Sequence, residues 1–286
     1  MNQSLKGNIY VLISAICFAL GGILIKLIPW SALSIQGARS AFSLLVIIGY
    51  MALKKRKFVF NKSVIFGGIS IFVMALTFVA ATKLTTAANA IVLQFTEPIF
   101  VILLMWIIYK KKPGKDAVFT SIAVFAGILC FFFESLGGGG MMGNILAIIS
   151  GFAYAWVFMI KQFPEADFES SLILSNVMSI LVGIPFYGKE TEGSLSIWLC
   201  VILLGIFQCG FSYVFLSWGL DYVSPIAASL TSTIEPVLNP ILVAMFYGEK
   251  IGAMAVIGAL LVVGSATVYS VLQAKQDTGT EETNKK

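Results

Sequence analysis

The feature that most constrains this chain is the recurrence of apolar runs about twenty residues long, each ended by charges or by a short break rich in Gly or Pro. A bilayer core about 30 Å thick is crossed by roughly 20 helical residues. Ten such runs can be marked, over residues 7–27, 34–53, 63–82, 87–109, 117–133, 141–160, 171–187, 195–216, 225–247 and 253–273. Backbone groups in lipid must be paired within their own segment, and the runs lack the alternation of barrel strands, so each is expected to be a helix. The fold class that follows is all-α and integral to the membrane. Only 12% of the residues are charged, against about a quarter in soluble domains, and mean hydropathy is +0.94. The first run follows Lys6 without a small-x-small cleavage site and is followed by nine more, so it reads as a retained helix and not a signal peptide.

Lys and Arg set the expected orientation. With the N-terminus inside, the cytoplasmic side receives Lys6, Lys54, Lys55, Arg56, Lys57, Lys62, Lys110, Lys111, Lys112, Lys115, Lys161, Lys275, Lys285 and Lys286, and the other side only Lys83, Lys189 and Lys250. That bias predicts both termini in the cytoplasm and a multi-pass protein of the cytoplasmic membrane. The net charge of +5 is accounted for by these loops, so a nucleic-acid partner is not expected. Cys17, Cys130, Cys200 and Cys209 all lie in apolar runs without C-x-x-C spacing and read as small buried hydrophobes. The chain has no histidine, which disfavours metalloenzymes and serine hydrolases, and no cofactor, metal site or enzymatic activity is expected.

A weak internal repeat divides the chain. Glu97-Pro98 and Glu235-Pro236 stand 138 residues apart, each about ten residues into the fourth run of its half. Five helices per half leave the halves in opposite orientations, an arrangement used for alternating access. The expected domains are residues 1–136 and 141–274, joined near the glycine run Gly137 to Gly140, with 275–286 a disordered polar tail.

These residues, with Arg39 early in the second run and Gly248-Glu249-Lys250 after the ninth, give the chain its resemblance to the EamA-type branch of the drug/metabolite transporter superfamily. The resemblance spans nearly the whole chain and implies ten helices as two inverted five-helix repeats and export of a small solute such as an amino acid or a drug. Importer and channel remain the alternatives. Two positions depart from the family pattern: Lys110-Lys111 replaces the first half's Gly-Glu, and Phe18-Ala19 replaces a first-helix Trp-Gly. No Walker A sequence is present, so ion or solute gradients would supply the energy, with protons as the coupling ion to test.

Glu97 and Glu235 are isolated charges in apolar runs, and an ionisable group there costs at least ~2.5 kcal/mol unless it faces protein or water. Coupling or substrate binding is one reading; support of a kink at Pro98 and Pro236 is the other. Thr231, Ser232 and Asn239 share a helical face with Glu235, and Gln94 and Asn89 share one with Glu97, which suits a cavity or a packed interface. Tyr154, Trp156, Tyr213 and Trp218 are expected near the meeting of the halves as possible pathway rings. Arg39 is expected as an anchor near the outer end of its helix, reaching the headgroups or an acidic partner, and Glu249 as a structural residue. Gly258 and Ser265 suit close helix packing, in a monomer or a homodimer.

Overall fold

A computed structural model describes residues 3–133, 140–190, 192–238 and 253–283. The described elements are helical throughout. They are α1 (Gln3–Phe18), α2 (Gly21–Leu27), α3 (Ala32–Leu53), α4 (Lys62–Leu84), α5 (Ala87–Gln94), α6 (Glu97–Tyr109), α7 (Lys115–Phe132), α8 (Met141–Met159), α9 (Phe168–Tyr187), α10 (Leu195–Leu203), α11 (Ser212–Leu220), α12 (Pro225–Ser232) and α13 (Ala253–Thr283). They group into ten spans. The first is α1 with α2, the fourth α5 with α6, and the eighth α10 and α11 joined by a π-helical segment, Leu204–Phe211.

Six helical stretches among the described residues are long and apolar enough to cross a bilayer. Polar side chains at loop residues set several of the starts. Ser31, Asn61, Thr86, Asp167 and Ser224 each accept from a backbone N–H of the first turn, satisfying a donor the helix leaves open. The last helix runs on through Lys275 to Thr283, across most of the segment expected to be a disordered tail. That stretch lacks proline, and Gly279 alone is insufficient to stop a helix already nucleated.

The chain exposes large apolar side chains and buries a set of polar ones among its apolar core. Leu45, Phe119, Ile122, Leu181 and Leu260 are among the large exposed side chains, while Arg39, Gln94, Glu97, Ser150, Asn176, Gln208 and Ser217 are buried. A lipid-facing surface with polar groups turned to the protein interior gives this distribution.

Packing shows the two-fold relation of the halves. Span three packs on six as span eight packs on one, and span four on six as span nine on one. Spans two and seven pack on each other, as do five and ten, each pair being mutual counterparts. At the crossing of spans two and seven, Gly37 meets Gly183. A Cβ on Gly183 would lie 2.8 Å from Gly37 Cα and 3.0 Å from the Leu33 carbonyl, so only hydrogen fits. The fold is thus ten transmembrane helices in two inverted five-helix repeats.

Hydrogen bonds gather the loops on alternate faces, as the topology requires. On the lysine-rich face, Asn61 donates to the Glu165 carbonyl (2.8 Å), Ser63 to that of Pro164 (2.7 Å) and Tyr109 to that of Gln162 (3.0 Å). There Arg56 also pairs with Glu169 (2.7 Å) and Lys161 with Asp221 (2.6 Å). On the opposite face, Trp30 Nε1 donates to the Glu192 carbonyl (2.6 Å), Ser31 N to Glu190 Oε1 (3.0 Å) and Lys83 to the Ile28 carbonyl (2.8 Å). Burial raises the Glu190 pKa, but hydrogen bonds from Ser34 and Ser31 and the Lys83 charge outweigh it and hold this carboxyl below its ordinary value.

Candidate functional site

The two Glu-Pro positions mark breaks, not bends. The fourth span stops at Gln94 and restarts at Glu97; the ninth stops at Ser232 and is helical again over residues 235–238. Proline lacks the N–H that a continuing helix needs, so the chain restarts with the glutamate and proline in the first turn. In each break a threonine hydroxyl donates three residues back: Thr96 to the Leu93 carbonyl (2.7 Å) and Thr233 to that of Leu230 (2.6 Å). Each carboxyl therefore stands at the positive end of a half-helix, which favours negative charge there.

Glu97 is 0% exposed. Its Oε2 accepts from Ser229 of the ninth span (2.6 Å), tying one break to the other half, and its Oε1 has no hydrogen-bond partner among the described residues. The buried Oε2 of Glu235 likewise has none among them. Gln94 donates to Ser150 (2.8 Å), which donates to the Met74 carbonyl (2.8 Å), linking spans four, six and three. Gly151 permits this approach, since a Cβ there would sit 2.5 Å from the Gln94 carbonyl oxygen.

Glu235 opens onto a cavity of about 30 Å³ that Arg39, Gln94, Tyr154, Gln208 and Tyr213 also line. Such a space is on the scale of one or two water molecules. Phe18 completes part of the wall, its ring edge-on to Tyr213 with centroids 5.0 Å apart.

Arg39 corrects the expectation of an interfacial anchor. The helix begins at Ala32, which puts Arg39 about 10 Å down the span, and it is 2% exposed, with its guanidinium turned to partners inside the bundle. Gln36 Oε1 accepts from its Nε (3.0 Å) and Nη2 (2.6 Å), Gln208 Oε1 from its Nη1 (3.0 Å), and the Ala75 carbonyl from Nη2 (3.5 Å). Every one of these acceptors is neutral. The π-helical segment of span eight presents Gln208 here, and Gly205 allows the approach: a Cβ on it would lie 2.5 Å from the Arg39 carbonyl oxygen.

The remaining expected residues are dispersed. Thr231 donates to Asn8 (3.0 Å) beside an apolar groove of about 290 Å³ between spans one, nine and ten, and Ser232 donates to the Ser229 carbonyl (2.8 Å). Asn89 donates to Thr85 (3.3 Å) near the start of α5. Pro98 and Pro236 are buried beside their glutamates. Trp156 and Trp218 do not line the cavity. Trp156 stacks on Phe163 (6.0 Å) and meets Phe66 edge-on (5.0 Å), while Trp218 Nε1 donates to the Tyr50 hydroxyl (2.8 Å) within a ring cluster with Tyr10 and Phe215. Their alternation with Tyr154 and Tyr213 along the sequence does not reveal which rings point inward. Asn239 and Glu249 lie outside the described residues. The sequence reading missed Gln36, Gln208 and Ser229; Gln36, one turn before Arg39, had the spacing signal of a partner.

Broken helices carrying ionisable groups at a polar centre, inside two inverted repeats, define the class as a membrane transporter. The sequence profile of the EamA-like transporter family matches residues 5–133 and again 141–271, and the chain belongs to that family. Among curated proteins, it is 26% identical over 290 residues to solute carrier family 35 member G1 of Homo sapiens, covering 91% of this chain and 77% of that one. A protein of Archaeoglobus fulgidus named an uncharacterized transporter is 21% identical over 267 residues, covering 92% and 95% of the two chains. A protein of Salmonella typhimurium named the uncharacterized inner membrane transporter YicL is 23% identical over 295 residues, covering 95% and 97%. A crystal structure at 18% identity superposes with a TM-score of 0.78 over 94% of this chain and 98% of the other, which shows the shared fold.

Proposed function

We propose that this chain is a secondary active transporter of the cytoplasmic membrane, with both termini cytoplasmic, that exports small metabolites by alternating access and is driven by protons. The observation that carries the reading is the pair of glutamates, each at a helix break, each with a buried oxygen lacking a partner among the described residues. A carboxyl held in that way has an open position for a proton or a solute cation, and ionisable groups within membrane spans mark such pathways. The glutamates occupy counterpart helices, so rocking one half against the other changes the surroundings of both together.

The lysine-rich face is closed by ion pairs. Arg56 is 41% exposed in its pair with Glu169, and Asp221 is 46% exposed in its pair with Lys161. The other partner of each pair is more buried, Glu169 at 1% and Lys161 at 16% exposed, so each tie joins a side chain at the solvent edge to one held within the bundle. The experiment is solute efflux from proteoliposomes under an imposed pH gradient, comparing wild type with Glu97→Gln and Glu235→Gln. Proton coupling predicts a rate that follows the gradient and falls in both variants. A rate indifferent to pH, with both variants at wild-type speed, sinks the coupling.

A further inference from the structure

We propose that Arg39 is the anchor for a carboxylate on the transported solute, so that this chain handles small organic acids, amino acids included. The inference rests on the transporter reading above and names the chemistry of its solute.

A guanidinium in a membrane span is costly unless paired, and the usual partner is an acid. Arg39 is nearly fully buried, yet among the described residues it has only glutamine side chains and one backbone carbonyl as acceptors, and no carboxylate within ion-pair distance. Those acceptors fix its orientation, and among the described residues none of them supplies a counter-charge. Gln36 holds the Nε and Nη2 edge with two short bonds; the Nη1 and Nη2 end carries one bond to Gln208 and a long 3.5 Å contact with the Ala75 carbonyl. That end is the more easily taken by a second acceptor. A carboxylate there forms two parallel charge-assisted bonds, the arrangement to which the guanidinium fork is suited.

The surroundings point the same way. Arg39 and Glu235 line one cavity, which is large enough in this conformation for the anchoring group of a solute but not for a whole one. Full entry requires the walls to part. Tyr154 and Tyr213, on spans six and eight, line the same cavity. Glu235, when ionised, gives an ammonium group on the solute a counter-charge, so an amino acid can engage both side chains while a simple acid engages Arg39 alone.

The test is thermal unfolding of the purified full chain, read by tryptophan fluorescence, with phenylalanine, alanine, benzoate and propionate against phenylalaninamide, alaninamide, benzamide and propionamide. The expected result is a rise of several degrees with acids and none with the matched amides. In Gln36→Glu, which gives Arg39 an internal carboxylate of nearly the same shape, the fold is retained and the acid-dependent rise is lost. A rise confined to the two amino acids and abolished in Glu235→Gln assigns the ammonium to Glu235; a rise that extends to benzoate and propionate assigns plain carboxylates. Both support the proposal. It is overturned if amides stabilise as well as acids, if no acid shifts the melting temperature, or if Gln36→Glu keeps the rise. Because binding is read without transport, failure here leaves the export reading standing, and absence of export with acid binding intact overturns that reading alone.

Discussion

Replacing Gln36 by leucine isolates the energetics of the buried guanidinium. The substitution removes one oxygen that accepts two bonds from Arg39, at 3.0 and 2.6 Å, and leaves the charge with Gln208 and the Ala75 carbonyl. A hydrogen bond to a charged group contributes ~1.5–3 kcal/mol net, and the two share one acceptor, so the loss is about 2–4 kcal/mol. At about 2–4 °C per kcal/mol for a chain of this size, the melting temperature in detergent falls by roughly 4–16 °C. Gln36→Glu keeps the acceptor and adds a counter-charge, so it melts at or above the wild type. Scanning fluorimetry on monodisperse protein measures both. The reasoning is refuted if Gln36→Leu melts within about 2 °C of wild type, or if Gln36→Glu falls as far as Gln36→Leu.

Two further predictions follow from packing and from the ties on the lysine-rich face. Gly183→Val forces side-chain atoms into Gly37 and the Leu33 carbonyl at the crossing of spans two and seven; overpacking of this kind costs about 1–3 kcal/mol or more, so yield of monodisperse protein drops sharply, whereas Gly188→Val, whose Cβ meets nothing within 4 Å, leaves it unchanged. Arg56→Ala leaves Glu169, 1% exposed, without its cation. With Cys17, Cys130 and Cys200 replaced by serine, a water-soluble maleimide should then label Cys209 on the cavity wall several-fold faster than in the otherwise unaltered chain, and equal rates would show that this pair is no gate.

The architecture was legible because lipid removes most alternatives: an apolar run of about twenty residues must be helical, and an odd number of spans per half must invert the second. Glu97-Pro98 and Glu235-Pro236 were legible as special positions, since charge and proline are both exceptional in such runs. Whether proline bends or breaks was not, because the break also involves local hydroxyls, with Thr96 and Thr233 donating to the Leu93 and Leu230 carbonyls at the ends of the first half-helices. Arg39 was misplaced because a charge seven residues into a span looks interfacial by position alone; its depth is set by where the helix starts and by neighbours from spans three and eight. The π-helical turn that delivers Gln208 has no sequence signature beyond glycines at 205 and 210 in an apolar run. Long-range choices of this kind, such as Tyr154 and Tyr213 inward with Trp156 and Trp218 elsewhere, follow from packing between halves that periodicity does not encode.

The most direct test of the central claim compares, by untargeted mass spectrometry, the small molecules released by cells overexpressing the wild-type chain, an inserted Glu235→Gln variant, or neither. The account predicts a small set of related metabolites enriched in the medium with the wild type and not with the variant. Enrichment that is identical for wild type and variant removes Glu235 from the mechanism, and no enrichment with the wild type contradicts export.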